Sequence, residues 1–454
     1  MTTKNLKSKH VYLAVISAGL LVFLGAFTNK STNVMYPAIV QQFHQPLNIT
    51  QWISTAYMLA NTLSITTTAY LLRQYSARSI ERVAALFFII GTFLCGPALN
   101  LPMLFIGRAF QGISDGLCVA VMFFIIFTQV PQDRLGLMSG VSGALMALAC
   151  SLGPTYGGWL CDTISWRAVF WSILPIGFLS LICGEIFIRN TPQGNSHAFS
   201  YTSMVFISLS FFCFDYSATM MGSTGFQWQF WGLFALGILF LVGFIVANNR
   251  GKTRLFYLDI FRIPAIRWAT FNYFLMQIIA AGIMAVIPTY AQYILKTNAL
   301  LSGFILFPGA FLGAVTSPLS GKWADHKGSR YPVITGGLLQ LCGACIMLIC
   351  QRYLTVVFLL ILYVISRVSY NLMYTNTIAY ASLIVPEKHK LDVNSVFNTA
   401  EDFGGSLGVD LFMSIFALTQ HNGLGMFTGG TIIFSLIIGI SVFMLLCIKQ
   451  TYKR

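Results

Sequence analysis

Fourteen apolar stretches recur along this chain, most of them close to the roughly 20 residues a helix needs to cross a bilayer. They cover approximately residues 11–28, 52–72, 83–100, 103–127, 137–159, 168–188, 201–221, 226–247, 269–292, 300–320, 331–350, 353–375, 403–420 and 427–448. Only 9% of the residues are charged, whereas soluble domains carry roughly 25%. No soluble fold could bury that much apolar surface. The expected solvent is lipid, and the expected fold is an all-α membrane protein of 14 transmembrane helices.

The 27 Lys and Arg outnumber the 13 Asp and Glu. Such an excess suits either an acidic polymer or a membrane orientation. With both termini on the cytoplasmic side of a plasma (inner) membrane, most basic residues gather in loops on that side. Lys4, Lys7, Lys9, Arg73, Arg78, Arg82, Arg250, Lys252, Arg254, Lys322, Lys327 and Arg330 are among them, while Lys30, Arg167, Lys296 and Arg352 fall outside. That is the positive-inside pattern. Adding or removing one span would destroy it. Orientation therefore accounts for the charge, and no nucleic-acid partner is expected. The six His are scattered singly and the ten Cys lie mostly inside apolar runs, so no metal site, cofactor or disulfide framework is expected. Cys342 and Cys345 have redox-pair spacing but sit mid-span with no strand nearby.

An internal repeat is visible. The loop Tyr70–Arg78 after the second span corresponds to Lys322–Arg330 after the tenth, an offset of 325 − 73 = 252 residues. Two six-span halves around a two-span hairpin fit that offset: 1–190, 191–250 for the hairpin, and 251–454. Parallel halves of this kind are one transporter plan.

Several local motifs fall in order on this plan. They are Trp52-Ile-Ser-Thr-Ala-Tyr57, Arg108-Ala-Phe-Gln111-Gly112, Gly153-Pro154-Thr-Tyr-Gly157-Gly158, Trp166-Arg167-Ala-Val-Phe170, Gly321-Lys-Trp-Ala-Asp325-His-Lys-Gly328-Ser-Arg330 and Asn398-Thr-Ala-Glu-Asp-Phe-Gly404-Gly405-Ser-Leu-Gly408. Together the chain resembles the 14-span drug:proton antiporters of the major facilitator superfamily. The resemblance implies two six-helix bundles plus an inserted hairpin, and export of lipophilic cationic compounds by proton antiport. It implies small-molecule substrates, protons and lipid as partners, a monomer, and no enzyme activity. It departs from the family where Thr28 and Arg73 replace aspartates, Ser76 replaces a glycine and Ile173 replaces an asparagine. The alternative reading is a specialised exporter or facilitator of a metabolite, lipid or siderophore, with unusual coupling.

A charge at the bilayer centre costs about 2.5–3.5 kcal/mol, which marks it as a candidate functional group. Asp115, Asp410 and Arg367 lie within spans, as does Asp215 in the hairpin, where a peripheral position is expected, and Arg108 is marked by its motif as well. Arg108 and Asp115 are about two helical turns apart and share a face. These four, Asp115, Arg108, Asp410 and Arg367, are the proton-coupling candidates. The glycine-rich fifth span, with Gly143, Gly153, Pro154, Gly157 and Gly158, suits close helix contact, and the resemblance makes it the outer gate. The resemblance likewise makes Gly321, Asp325, Gly328 and Arg330 a cytoplasmic gate. Substrate-cavity candidates are Tyr36, Tyr57, Gln111, Gln277, Tyr290, Gln292, Tyr370, Asn371 and Tyr374. Gly404-Gly-Ser406-Leu-Gly408 matches a nucleophile-elbow pattern but lacks the preceding strand, and no phosphate-binding loop occurs.

Overall fold

A computed structural model of the chain describes residues 2–130, 135–189, 200–251, 258–353, 355–386 and 390–453. Within those ranges the side chains of Arg73 and Asp325 and the surroundings of Gly143 fall outside the described set. The described residues form helices and connections, with no strand.

Fourteen long helices are present: α1 (Thr2–Phe43), α3 (Trp52–Gln74), α4 (Ala77–Cys95), α5 (Leu101–Gln129), α6 (Leu135–Thr163), α7 (Trp166–Phe187), α8 (Tyr201–Thr224), α9 (Trp228–Arg250), α10 (Pro264–Tyr293), α11 (Ala299–Lys327), α12 (Arg330–Ile349), α13 (Val356–Ile384), α14 (Lys390–His421) and α15 (Gly425–Thr451). A single turn, α2 (Leu47–Thr50), precedes α3. Eleven of the fourteen are long and apolar enough to span a membrane by length and composition. The others are α3, rich in Ser and Thr, α4, which opens on charged residues, and α6, part of which lies outside the described residues. Ser76, at the position where the family has glycine, caps α4 by accepting a hydrogen bond from the Ser79 amide at 3.2 Å, a role suited to serine.

The helices pack in two matching sets. In the first, α1 meets α5, α6 and α7, α3 meets α5, and α4 meets α5 and α7. In the second, α10 meets α13, α14 and α15, α11 meets α13, and α12 meets α13 and α15. The two sets of pairings correspond one to one. They join through α6 with α11 and α3 with α14. The helices α8 and α9 pack on each other, and α8 also packs on α14 and α3. Outward-facing positions are apolar: Phe93, Trp171, Leu179, Ile182, Trp231 and Leu239 are all exposed. Such a surface matches lipid rather than water.

Two sequence expectations are corrected here. Lys30 does not lie in an outer loop, because α1 continues without a break to Phe43. Asp215 is not peripheral; it is fully buried between α8 and α14. The first arises because hydropathy windows close at a charge, whereas a helix continues through a charge that faces protein; the second because the packing of α8 on α14 is not visible along the chain.

Candidate functional site

Arg108 of α5 is fully buried. Its Nε donates to the Ile53 carbonyl at 3.1 Å, Nη1 to Gln111 Oε1 at 2.9 Å and Nη2 to Asn29 Oδ1 at 2.7 Å. The guanidinium also lies 4.4 Å from the centre of the Tyr57 ring. Three acceptors and an aromatic face offset the cost of removing this cation from water. Gln111 passes the chain of bonds on to Thr92 Oγ1 at 2.8 Å. The group ties α1, α3, α4 and α5 into one block behind the cavity wall.

Tyr57 links that block to Asp115: its hydroxyl donates to Asp115 Oδ2 at 2.6 Å. The shared face expected for Arg108 and Asp115 is present, and the tyrosine joins them in place of an ion pair. Asp115 Oδ1 has no hydrogen-bond partner. Gly25 makes room for it, since a Cβ there would sit 2.7 Å from Oδ1. Thr28 is buried one turn further on and spends its hydroxyl on the Leu24 carbonyl at 2.6 Å.

A cavity of about 200 Å³ lies between the two helix sets. Its acidic and basic lining is Lys30 (α1), Asp115 (α5), Arg367 (α13), Glu401 and Asp402 (both α14), and Met58, Met146 and Met284 line it as well. Glu401 accepts hydrogen bonds from Tyr273 at 2.7 Å and Tyr374 at 3.2 Å. Asn61 Nδ2 reaches Asp402 Oδ1 at 3.4 Å. Arg367 stacks 4.7 Å from the centre of the Tyr370 ring, and its Nε has no hydrogen-bond partner. Three carboxyl groups thus face two basic groups in a small enclosed volume.

Of the residues expected from sequence, Tyr57, Gln277 and Tyr370 line this cavity, and Tyr374 stands one step behind it through Glu401. The others are not in its lining. Tyr36 donates to Ser54 Oγ at 2.7 Å, Tyr290 packs on Phe434, Asn371 donates to the Arg367 carbonyl at 2.8 Å, and Gln292 donates to the Val34 carbonyl at 3.1 Å. Gln111 belongs to the Arg108 block. Asp410 does not meet Arg367; it accepts from Thr55 at 2.5 Å, away from the cavity. Sequence reasoning missed Lys30, Glu401 and Asp402. A readable hint existed for Lys30, since neither glycine nor proline interrupts the chain between Gly25 and Pro37.

The glycines of α6 divide between two neighbours. Gly153 and Gly157 face α1, where added Cβ atoms would fall 2.7 Å from the Phe27 carbonyl oxygen and 2.8 Å from Ser31 Cβ. Ser31 Oγ donates to the Gly153 carbonyl at 2.7 Å. Gly158 and Pro154 instead face the other set, lying against Ala299 and Gly303 of α11. Beside them, Asp162 accepts from the amides of Ala299 at 3.1 Å and Leu300 at 2.7 Å. A carboxylate from α6 therefore caps the N-terminus of α11, where the helix dipole favours an anion. Gly143 also lies in α6, but its surroundings are outside the described residues. At the opposite end of α11, Gly321 and Gly328 have nothing within 4 Å of an added Cβ. Gly328 ends the helix at φ +85°, the left-handed region that favours glycine. Arg330 is exposed, and the Asp325 side chain lies outside the described residues.

Comparison with known proteins places this architecture. Residues 18–409 match the model of the Major Facilitator Superfamily. The chain is 27% identical to the uncharacterized MFS-type transporter YhcA of Bacillus subtilis, over 91% of this chain and 77% of that one. It is 24% identical to the lincomycin resistance protein LmrB of the same organism, over 93% and 88%. It is 27% identical to the multidrug transporter protein MdtP, over 76% and 63%. A crystal structure of a POT family transporter in complex with 5-aminolevulinic acid superposes with a TM-score of 0.73 at 14% identity, covering 97% of this chain and 96% of that one. The enclosed cavity between two matching helix sets, the lipid-facing exterior and these matches agree: the chain belongs to the major facilitator superfamily and is an integral membrane transporter, not an enzyme.

Proposed function

We propose that this chain exports lipophilic, cationic drug-like compounds across the plasma membrane in exchange for protons, by alternating access. The observation that carries the reading is the charge of the central cavity, where Asp115, Glu401 and Asp402 outnumber Lys30 and Arg367. A carboxylate pocket lined with methionines suits an amphipathic cation. Proton and cation then compete for the same carboxyls, and that competition is antiport. Glu401, held by two tyrosine hydroxyls, orients the site. Asp115 and Asp402, less completely bonded, exchange the proton. The family relatives named for multidrug transport and lincomycin resistance support drug export.

The excess of basic residues in one set of loops supports a cytoplasmic position for both termini. In that orientation the α6–α11 contact and its Asp162 cap close the outer side. The open surroundings of Gly321 and Gly328 belong to the inner side. The 1–190 and 251–454 halves rock about the cavity, with 191–250 as the inserted hairpin, and the working unit is a monomer. Gly153, Pro154, Gly157 and Gly158 act at the outer gate with Asp162, and Gly321 to Arg330 at the inner one.

The test is dye uptake into inverted vesicles with an acid interior. Wild type should accumulate a lipophilic cation and lose it when the gradient collapses, and Asp402→Asn should cut uptake at least tenfold. Uptake indifferent to both the gradient and the substitution would overturn the reading. A second reading, export of a small zwitterionic metabolite, is favoured by five acidic and basic groups in about 200 Å³. It predicts that amino-acid-like compounds, not lipophilic cations, compete with transport.

A further inference from the structure

Asp215 and Asp410 form a second carboxyl constellation that the central cavity does not use. Both are fully buried. Asp215 Oδ2 accepts from Ser406 Oγ at 2.9 Å, and Asp410 Oδ1 accepts from Thr55 Oγ1 at 2.5 Å. The remaining oxygens, Asp215 Oδ1 and Asp410 Oδ2, have no donor among the described residues, and Ser406, the donor to Asp215, stands one helical turn before Asp410 on α14, so both carboxyl groups meet the same face of that helix. One proton shared between the two groups would satisfy both unpartnered oxygens, whereas two ionised carboxylates on that buried face would repel. Gln51 completes the enclosure. Its Nε2 donates to the Asp410 carbonyl at 3.1 Å, while its buried Oε1 is also without a partner.

We propose that Asp215 of α8 and Asp410 of α14 share one proton, forming a protonation site separate from the cavity that holds α3, α8 and α14 together at the closed end. Around it the contacts all converge on that end. Trp52 Nε1 donates to Thr219 Oγ1 at 2.6 Å, Asn48 Nδ2 to the Thr219 carbonyl at 3.0 Å, and Gln51 Nε2 also lies 3.4 Å from Ser414 Oγ. The charged surroundings offer no substitute for the proton. α2 and α3 present neutral groups, Asn48, Gln51 and Thr55. From α1 comes Tyr36, whose hydroxyl donates to Ser54, and Arg108 of α5 is engaged by Asn29, Gln111 and the Ile53 carbonyl. α10 and α13 direct Tyr273, Tyr370, Tyr374 and Arg367 at Glu401 and its cavity. The α9 and α15 cations Arg250 and Lys449 lie at the far, exposed ends of their helices. Loss of the proton leaves two buried carboxylates side by side, a repulsion relieved by separating α3 and α8 from α14. The inserted hairpin thereby becomes part of the conformational cycle. Calling this end the outer gate rests on the orientation proposed above; the shared proton does not.

The experiment uses the full chain in lipid nanodiscs and does not depend on transport. Hydrogen–deuterium exchange, corrected for its intrinsic pH dependence, is followed in peptides covering 47–56 and 215–222 from mildly acidic to mildly alkaline buffer. In wild type, exchange should rise steeply as the shared proton is lost. Asp215→Asn and Asp410→Asn each supply a permanent N–H donor and should abolish that rise. Infrared difference spectra should show one protonated-carboxyl band that either substitution removes, a readout that also checks folded protein. Persistence of the pH dependence or of the band in both variants would overturn the proposal. So would restoration of protection at alkaline pH by sodium, which would assign the site to a metal cation.

Discussion

Gly158→Ala adds one carbon to the α6–α11 contact that we propose as the outer closure. The added Cβ would overlap the Ala299 carbonyl oxygen and sit 2.7 Å from its carbon and 2.9 Å from Leu300 Cα. These neighbours are backbone at the start of a helix, so no rotamer change relieves the clash. The two helices must separate, and the Asp162 bonds to the Ala299 and Leu300 amides lengthen with them. Overpacking costs about 1–3 kcal/mol, and this cost falls only on the closed state. The closed-to-open equilibrium should therefore shift by about 5- to 150-fold. Spin labels at Thr163 and Leu301, both exposed, would report the separation by pulsed electron resonance after replacement of accessible native cysteines. The expected result is a distance distribution moved to longer values and impaired export, with thermal stability close to wild type. Gly157→Ala is the control. Its clash is with Ser31 of α1, on the same side of the interface, so it should lower stability without favouring the open state. An unchanged distance distribution for Gly158→Ala, with normal export, would refute the reasoning.

Two further outcomes follow from the same contacts. Asp162→Ala removes the carboxylate that caps α11 across the interface; with the side chain exposed to solvent, the loss should be about 1 kcal/mol, seen as a smaller opening shift on the same labels. Arg108→Lys leaves at least one of the Asn29, Gln111 and Ile53 acceptors unpaired in a dry site, at about 1–3 kcal/mol each. It should appear as a lowered melting temperature in detergent before any change in substrate preference is measurable.

Much of the architecture was legible because apolar length and loop charge are local properties. The fifth span's glycines announced a close helix contact, and the structure shows two such contacts, one within its own helix set and one across to α11. The cavity was less legible. Tyr57, Gln277 and Tyr370 were found because each lies inside an obvious span. Lys30, Glu401 and Asp402 were set aside because each ends an apolar window, although a charge facing a cavity is what such a window cannot include. Asp162 was hidden for another reason: its role depends on amides 137 and 138 residues away.

By itself the sequence determined the class of solvent, the number of long helices, their twofold repetition and the residues too costly to bury without purpose. Each follows from summing transfer free energies along a continuous segment. Only the tertiary structure decided which charges meet. It placed Arg108 in a bonded block behind the cavity, joined it to Asp115 through Tyr57, and buried Asp215 against α14 instead of leaving it at the periphery. Hydrogen bonds and carboxyl pairs act over about 3 Å, and which groups come that close is fixed by helix packing, not by spacing along the chain.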